Sequence, residues 1–313
     1  MTAPLILDGK KLAAQVRKEV AEKAAKLKEK NGITPGLAAV LVGDDPASHV
    51  YVKNKRQACA EAGMASWLHQ LPAGTTEKEL LDLLDRLNAD TTVHGILVQL
   101  PLPKHLDTAV VLDRIDPRKD VDGLHPDNLG LLADGRPRYL PCTPHGVWQL
   151  VQRNGLEWAG KHVVILGRSS IVGKSLALLL LQKGIDATVT VCHSRTPKPE
   201  YLLKQADIIV AAMGQPLWLK SDMVKPGAVV VDVGIHRKSE GGLCGDVAYD
   251  EVAPHCSAIT PVPGGVGPMT IAMLLVNTVE SASFCAQKNP QTPKKVWGRG
   301  ERPGPDSLRN RSP

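Results

Sequence analysis

The chain has 313 residues, 43% of them apolar and 22% charged, which suits two globular domains and excludes intrinsic disorder, collagen and a disulfide-stapled miniprotein. One Phe, four Tyr and five Trp argue against an aromatic stacking platform for single-stranded nucleic acid. Of the net charge of +6, Lys288, Lys294, Lys295, Arg299, Arg302, Arg309 and Arg311 against Glu301 and Asp306 place +5 in residues 286–313. Any polyanion binding by that segment would be weak and salt-sensitive, so no specific nucleic-acid partner is expected.

Met1 to Asp8 is followed at once by Lys10, Lys11, Arg17 and Lys18, without the apolar stretch of a signal peptide. The longest apolar run, Leu176 to Leu181, is too short to cross a bilayer, so no membrane partner is expected. Cys59, Cys142, Cys192, Cys244, Cys256 and Cys285 are scattered, with no pair at zinc spacing; plain thiols in a reducing cytoplasm and no metal site are the natural reading.

In chain order, Leu12, Val16, Val20 and Leu27 give helical spacing up to a stop at Asn31-Gly32, and Gly36 to Gly43 reads as a buried strand. Ser48 to Gly63 predicts a helix, Ala65 to Leu71 a strand, and Thr76-x-x-Glu79 a capping box opening a helix to Leu87. His94 to Gln99 is the next strand. This βαβ alternation predicts a parallel sheet with helices on both faces.

From Cys142 the pattern restarts. Pro144 to Asn154 predicts a helix, His162 to Leu166 a strand, and Gly167-Arg-Ser-Ser-Ile-Val-Gly173 a turn into a helix through Leu181. Thr188 to Cys192, Ile208 to Ala212 and Val229 to Val233 predict three more strands, the pattern of a Rossmann-like domain. The fold class expected is thus α/β with two domains and a cleft between them: residues 1–143, completed by a helix over 268–285, and residues 144–267. Residues 286–313, rich in proline and poor in apolar residues, read as a disordered tail.

A strand running into a Gly-rich turn and a helix puts backbone N–H groups where a pyrophosphate can sit. The turn here has two glycines rather than three, so a plain tight connection is the alternative. The second strand ends Cys192-His-Ser-Arg-Thr196 without the carboxylate that binds ribose hydroxyls in NAD sites. Arg168, Ser169, Ser194 and Arg195 offer donors for an extra phosphate, which favours NADP over NAD; solvated loop residues are the bland alternative.

Tyr51 and Lys55 are four apart and share a helix face, as a polar surface pair also would. Gln99 stands at the carboxyl end of a buried strand, where α/β proteins place ligands. Lys119-Asp-Val-Asp-Gly123 carries two carboxylates in one loop. Pro261-Val-Pro-Gly-Gly-Val-Gly-Pro-Met-Thr270 has the glycines and prolines of a rigid loop able to pack on a flat ligand.

Taken together, Y-V-x-x-K (Tyr51 to Lys55), H-G-I-L-V-Q-L-P-L-P (His94 to Pro103), K-D-V-D-G, P-C-T-P (Pro141 to Pro144), G-R-S-x-I-V-G and P-V-P-G-G-V-G-P-M-T stand in an order that resembles the bifunctional methylenetetrahydrofolate dehydrogenase/cyclohydrolase family. The resemblance covers about Ile6 to Ser283. It implies NADP-dependent oxidation of 5,10-methylenetetrahydrofolate to the methenyl cation, then hydrolysis to 10-formyltetrahydrofolate, steps of tetrahydrofolate interconversion that feed purine biosynthesis. The partners it implies are tetrahydrofolate one-carbon derivatives and a second copy of the chain.

By the same resemblance, Lys55 is the catalytic lysine, Gln99 orients it, Tyr51 packs on the aminobenzoyl group and Asp122 accepts from the pterin. Leu100, Pro101, Pro263, Gly264 and Gly265 would complete the folate site. Cofactor contacts would come from Gly167, Arg168, Ser169, Ile171, Val172, Gly173, His193, Ser194, Arg195, Gly234 and Ile235. The chain departs from the family in a longer Lys183 to Thr188 connection and in His236, where Asn is more familiar. Two other readings stay open: a dehydrogenase without the cyclohydrolase step, and a nucleotide-binding protein without turnover.

Overall fold

The computed structural model describes residues 3–286. Leu5–Ile6 (β1) leads into Gly9–Asn31 (α1), Gly36–Val42 (β2), Pro46–Glu61 (α2), Ala65–Leu71 (β3), Glu77–Ala89 (α3) and Gly95–Val98 (β4). The chain continues through Thr108–Asp113 (α4) and Pro126–Ala133 (α5) to Cys142–Gln152 (α6). Then come His162–Leu166 (β5), Gly173–Leu180 (α7), Thr188–Cys192 (β6), Pro199–Leu203 (α8), Ile208–Ala211 (β7) and Val229–Asp232 (β8). A hairpin of His236–Arg237 (β9) and Leu243–Cys244 (β10), then Tyr249–Val252 (α9), Ala258–Ile259 (β11) and Val266–Ala286 (α10), complete it.

Every residue of β2, β4, β7 and β8 is buried, because helices cover both faces of a parallel sheet and leave no side for polar alternation. Helix α3 turns only Leu80, Leu83, Leu84 and Leu87 inward, and the Thr76–Glu79 capping box opens it: Thr76 N donates to Glu79 Oε2 at 2.8 Å. Helix α2 begins two residues earlier than its sequence suggests. Asp45 caps it by accepting from Ser48 N at 2.8 Å, and Pro46, with no N–H to satisfy, fills the first turn.

The first sheet has the order β3-β2-β4, all parallel. The second runs β1-β11-β8-β7-β5-β6, also parallel. Counted from β5 its main strands stand in the doubly wound order 2-1-3-4-5, so strand order reverses between β5 and β7, where such sheets bind ligands. The chain start departs from the expected division at 143: Leu5 pairs with Ala258 and Ile6 with Ile259, so β1 is an edge strand of the second sheet. Two-residue strands are too short for a periodic signal.

Helix α10 crosses back to the first unit and packs on α1 and α6. By length and composition it could cross a membrane, but 56% of its most apolar window is buried among those helices. The helix extends through Ala286, one residue into the segment read as a tail; residues 287–313 lie outside the described residues.

One buried amide ties α10 to the loops it crosses. Asn277 Nδ2 donates to Val121 O at 2.8 Å and to Leu140 O at 2.9 Å. Asn277→Leu would strip Leu140 O of its amide partner and leave Val121 O with only the Cys142 thiol, and urea unfolding should show a loss of about 1–3 kcal/mol at unchanged m-value; an unaltered midpoint would show that these bonds add nothing.

Candidate active site

The carboxyl ends of β4 and of the second sheet face a cleft of about 350 Å³ walled by both units. That is within the range of small-molecule sites. Tyr51 and Lys55 of α2, Gln99, Leu100 and Pro101 after β4, Asp122, Ile171 and Val172 of the Gly-rich turn, and Ile235 after β8 all line it. Helix α2 turns Ser48, Val52, Lys55 and Cys59 inward, so the helical period that buries two core residues also carries the lysine into the cleft wall.

Lys55 is 8% exposed, and its Nζ donates to Gln99 Oε1 at 3.0 Å. Gln99 Nε2 in turn donates to Leu100 O at 2.7 Å, which fixes the amide with its oxygen toward the lysine. Burial pulls the Lys55 amine below the ordinary lysine range, against the opposing field of Asp122. The lysine is thus held by a neutral amide instead of a hydrogen-bonded carboxylate, an arrangement that favours a neutral amine. Burial pushes the half-buried Tyr51 hydroxyl up, so the phenol stays protonated.

The two carboxylates of the Lys119 to Gly123 loop divide their roles. Asp120 is buried and accepts from Gly123 N at 3.2 Å, His125 N at 2.8 Å and Asn128 Nδ2 at 2.7 Å, while Asp122 lines the cleft. Lys119 Nζ donates to the carbonyls of Leu87, Asn88 and Asp90 at the end of α3. The loop is therefore pinned on both sides of the residue it presents. Spacing alone does not separate Asp120 from Asp122, because residues two apart share a face of an extended segment; only the resemblance singles out Asp122.

Pro263, which is exposed, Gly264 and Gly265 immediately precede the residues of this segment that line the cleft. Gly264 O accepts from Lys10 N at 2.9 Å, and a Cβ on Gly9 would stand 1.8 Å from Gly265 O, so this stretch packs against the start of α1. Its continuation, Val266, Gly267, Thr270 and Ile271, forms the wall. Thr270 and Thr143 join α10 to α6 there through a hydroxyl contact of 3.1 Å. The P-C-T-P and P-M-T segments carried that signal, without showing that the two threonines meet.

The Gly-rich turn has the shape a dinucleotide phosphate needs. Gly167 has φ +115°, and a Cβ there would lie 2.1 Å from Ala212 O; a Cβ on Gly173 would lie 2.0 Å from Gly167 O. Both glycines are therefore required for the backbone to close on itself. Gly167 N donates to Cys192 O at 2.8 Å, so this turn runs beside the segment after β6. Arg168, Ser169, Ser194 and Arg195 are exposed on these two segments, and His193 Nδ1 accepts from Arg195 N at 3.2 Å. These donors fit an anionic group larger than a ribose hydroxyl. Gly234 lies behind the wall, buried beside Asp246.

Comparison with known proteins agrees with this division of labour. Residues 7–122 match the catalytic domain of tetrahydrofolate dehydrogenase/cyclohydrolase, and residues 141–286 match its NAD(P)-binding domain. The chain is 57% identical to the bifunctional protein FolD of Paracidovorax citrulli, with 91% of this chain and 100% of that one covered. It is 56% identical to FolD of Magnetococcus marinus, over 88% of this chain and 96% of that one. Among solved structures, the FolD methylenetetrahydrofolate dehydrogenase/cyclohydrolase of Campylobacter jejuni superposes with a TM-score of 0.87 at 50% identity, covering 90% of this chain and 99% of that one. The Trypanosoma brucei enzyme, complexed with NADP cofactor and an inhibitor, gives 0.87 at 40% identity, covering 92% and 100%. A cleft with a buried lysine on one wall and a dinucleotide turn on the other, matched in both halves, establishes that this chain belongs to the tetrahydrofolate dehydrogenase/cyclohydrolase family.

Proposed function

We propose that the single cleft between the two units carries both reactions of this bifunctional enzyme: NADP-dependent oxidation of 5,10-methylenetetrahydrofolate and hydrolysis of the methenyl product to 10-formyltetrahydrofolate. The observation that carries the reading is Lys55, buried and hydrogen-bonded to Gln99. A dehydrogenase alone has little use for such a group, because the substrate's own nitrogens stabilise the cation as hydride leaves. NADP, when bound, supplies the hydride acceptor. The Gly167 to Gly173 turn, Arg168, Ser169, Ser194 and Arg195 would hold it, with Ile171, Val172 and Ile235 lining the side that meets the folate.

The protein's part in the first reaction is placement. Tyr51 would offer a half-buried ring for the aminobenzoyl group to pack on, and Asp122 would accept hydrogen bonds from the pterin. Leu100 and Pro101 would close the edge of the ring site. In the second reaction Lys55, as the neutral amine, takes a proton from water while the water oxygen bonds to the methenyl carbon. The protonated Lys55 then gives its proton to N5 as the bond from that carbon to N5 breaks, and the regenerated amine takes the hydroxyl proton as the carbonyl forms and passes it to solvent. Gln99 keeps the amine aimed at the reacting carbon through these proton movements.

We infer further that the enzyme is a cytoplasmic homodimer whose product feeds purine biosynthesis. The six free thiols support a reducing compartment, and β6, paired among the described residues with β5 alone, offers an open strand edge for a second copy.

Lys55→Met should lower hydrolysis of methenyltetrahydrofolate by at least about 100-fold while NADPH formation continues, so that methenyl absorbance accumulates. It should also raise or preserve the melting temperature, since a buried amine is replaced by an apolar chain; formyl production at the wild-type rate would refute the role given to Lys55. Because the amine titrates below the ordinary lysine range, hydrolysis should rise with pH and level off before that range is reached. Arg195→Ala and Arg168→Ala should raise KM for NADP by about 10- to 100-fold and KM for NAD by less than about threefold. Equal rises for both dinucleotides would remove these arginines from the extra phosphate.

A further inference from the structure

Three loops leave the carboxyl ends of β7, β8 and β10 beside the dinucleotide turn, and a buried carboxylate joins them. Asp246 is 0% exposed, yet it lies in a Cys-Gly-Asp-Val segment that no motif singles out. Its Oδ2 accepts from Met213 N at 2.7 Å and from Gly214 N at 3.0 Å, both in the loop after β7. Its Oδ1 meets His236 Nε2 at 2.7 Å, and His236, the first residue of β9, follows the cleft-lining Ile235 of the loop after β8. The fit is close: a Cβ on Gly234 would stand 2.4 Å from Asp246 Oδ1.

A second carboxylate locks the hub from behind. Asp232 accepts from Gly234 N at 2.9 Å, Asp246 N at 3.0 Å and Val247 N at 2.9 Å. The consequence reaches the phosphate turn directly. Gly167 approaches Ala212 O so closely that a Cβ would be 2.1 Å away, and Ala212 precedes Met213, whose N–H Asp246 holds. The chain of contact thus runs from His236 through Asp246 and Met213 to the backbone on which Gly167 seats. Gly214 and Leu217, on the same loop, are exposed, and Leu217 N donates to Gly245 O at 3.0 Å, adding a second tie between loop and hub.

We propose that Asp246 and His236 are positioning residues of the dinucleotide site: Asp246 holds the loops after β7 and β8 as one surface beneath the Gly167 turn, and His236 holds Asp246 in place. Neither touches the cleft; they act through Met213, Gly214 and Ile235. His236 therefore does more than fill a loop position. Its ring reaches a carboxylate inside the domain.

The proposal rests on the dinucleotide reading of the second unit, which saturation of the wild-type enzyme with NADP tests separately. In the full-length enzyme, His236→Leu removes the donor at similar volume, and His236→Gln restores an N–H at comparable reach. Loss of a hydrogen bond to a buried charged group should raise KM for NADP about tenfold in the Leu variant, with dehydrogenase kcat within about twofold. Hydrolysis of methenyltetrahydrofolate supplied without dinucleotide should stay within about twofold, and the Gln variant should recover KM to within about threefold of wild type. An unchanged KM in His236→Leu, a Gln variant as impaired as Leu, or a parallel fall in hydrolysis would overturn it.

Discussion

A lysine amine without a hydrogen-bonded carboxylate is costly to bury, and the cleft is organised around one that is. Lys55 sits among α2, β4 and the Asp122 loop with Gln99 as its hydrogen-bond partner, and desolvation weakens its hold on a proton. That constraint explains the neighbours. Gln99 has to be held by Leu100 O so that it presents an acceptor, and Asp122 has to stand near enough to moderate the field without pairing with the amine. The loop's other carboxylate, Asp120, is bound instead by three donors of its own loop and its neighbours.

The two sheets turn the same end toward this site. Parallel strands expose unpaired backbone and loop residues at their carboxyl ends, and here both sheets do so across one gap. Helix α10 begins at the gap with Val266 and runs into the core of the first unit, where Met269, Ala272, Met273 and Leu275 are buried against α1 and α6. The wall that meets the cofactor side is thus continuous with the core that carries the lysine. Asp246 plays the corresponding part in the second unit, as a buried acceptor that fixes backbone instead of a side chain.

Much of this was legible in the sequence. The apolar runs of β2, β4, β5, β7 and β8 announce buried parallel strands, and the family resemblance, carried by the Tyr51 to Lys55 and His94 to Pro103 motifs, pairs the lysine with Gln99, which spacing alone leaves open. What was hidden depends on contacts distant along the chain. Leu5–Ile6 has no period of its own and becomes a strand only because Ala258–Ile259 offers an edge. Gly264 and Gly265 read as ligand-facing backbone, and the sequence does not show that they also pack on the start of α1 at Gly9. Asp246 and His236 read as loop polarity until the fold brings Met213, Gly214 and Gly234 around them.

The account stands most directly on the protonation state of Lys55. Carbon-13 labelling of the lysine side chains, with the Lys55 Cε resonance assigned by its loss in Lys55→Met, permits an NMR titration of that one amine in the folded enzyme. The account predicts that it titrates clearly below the exposed lysines of the same protein. An Lys55 titrating with them or above them would show that burial is offset by pairing in the folded state, and that the hydrolytic step draws its base from elsewhere.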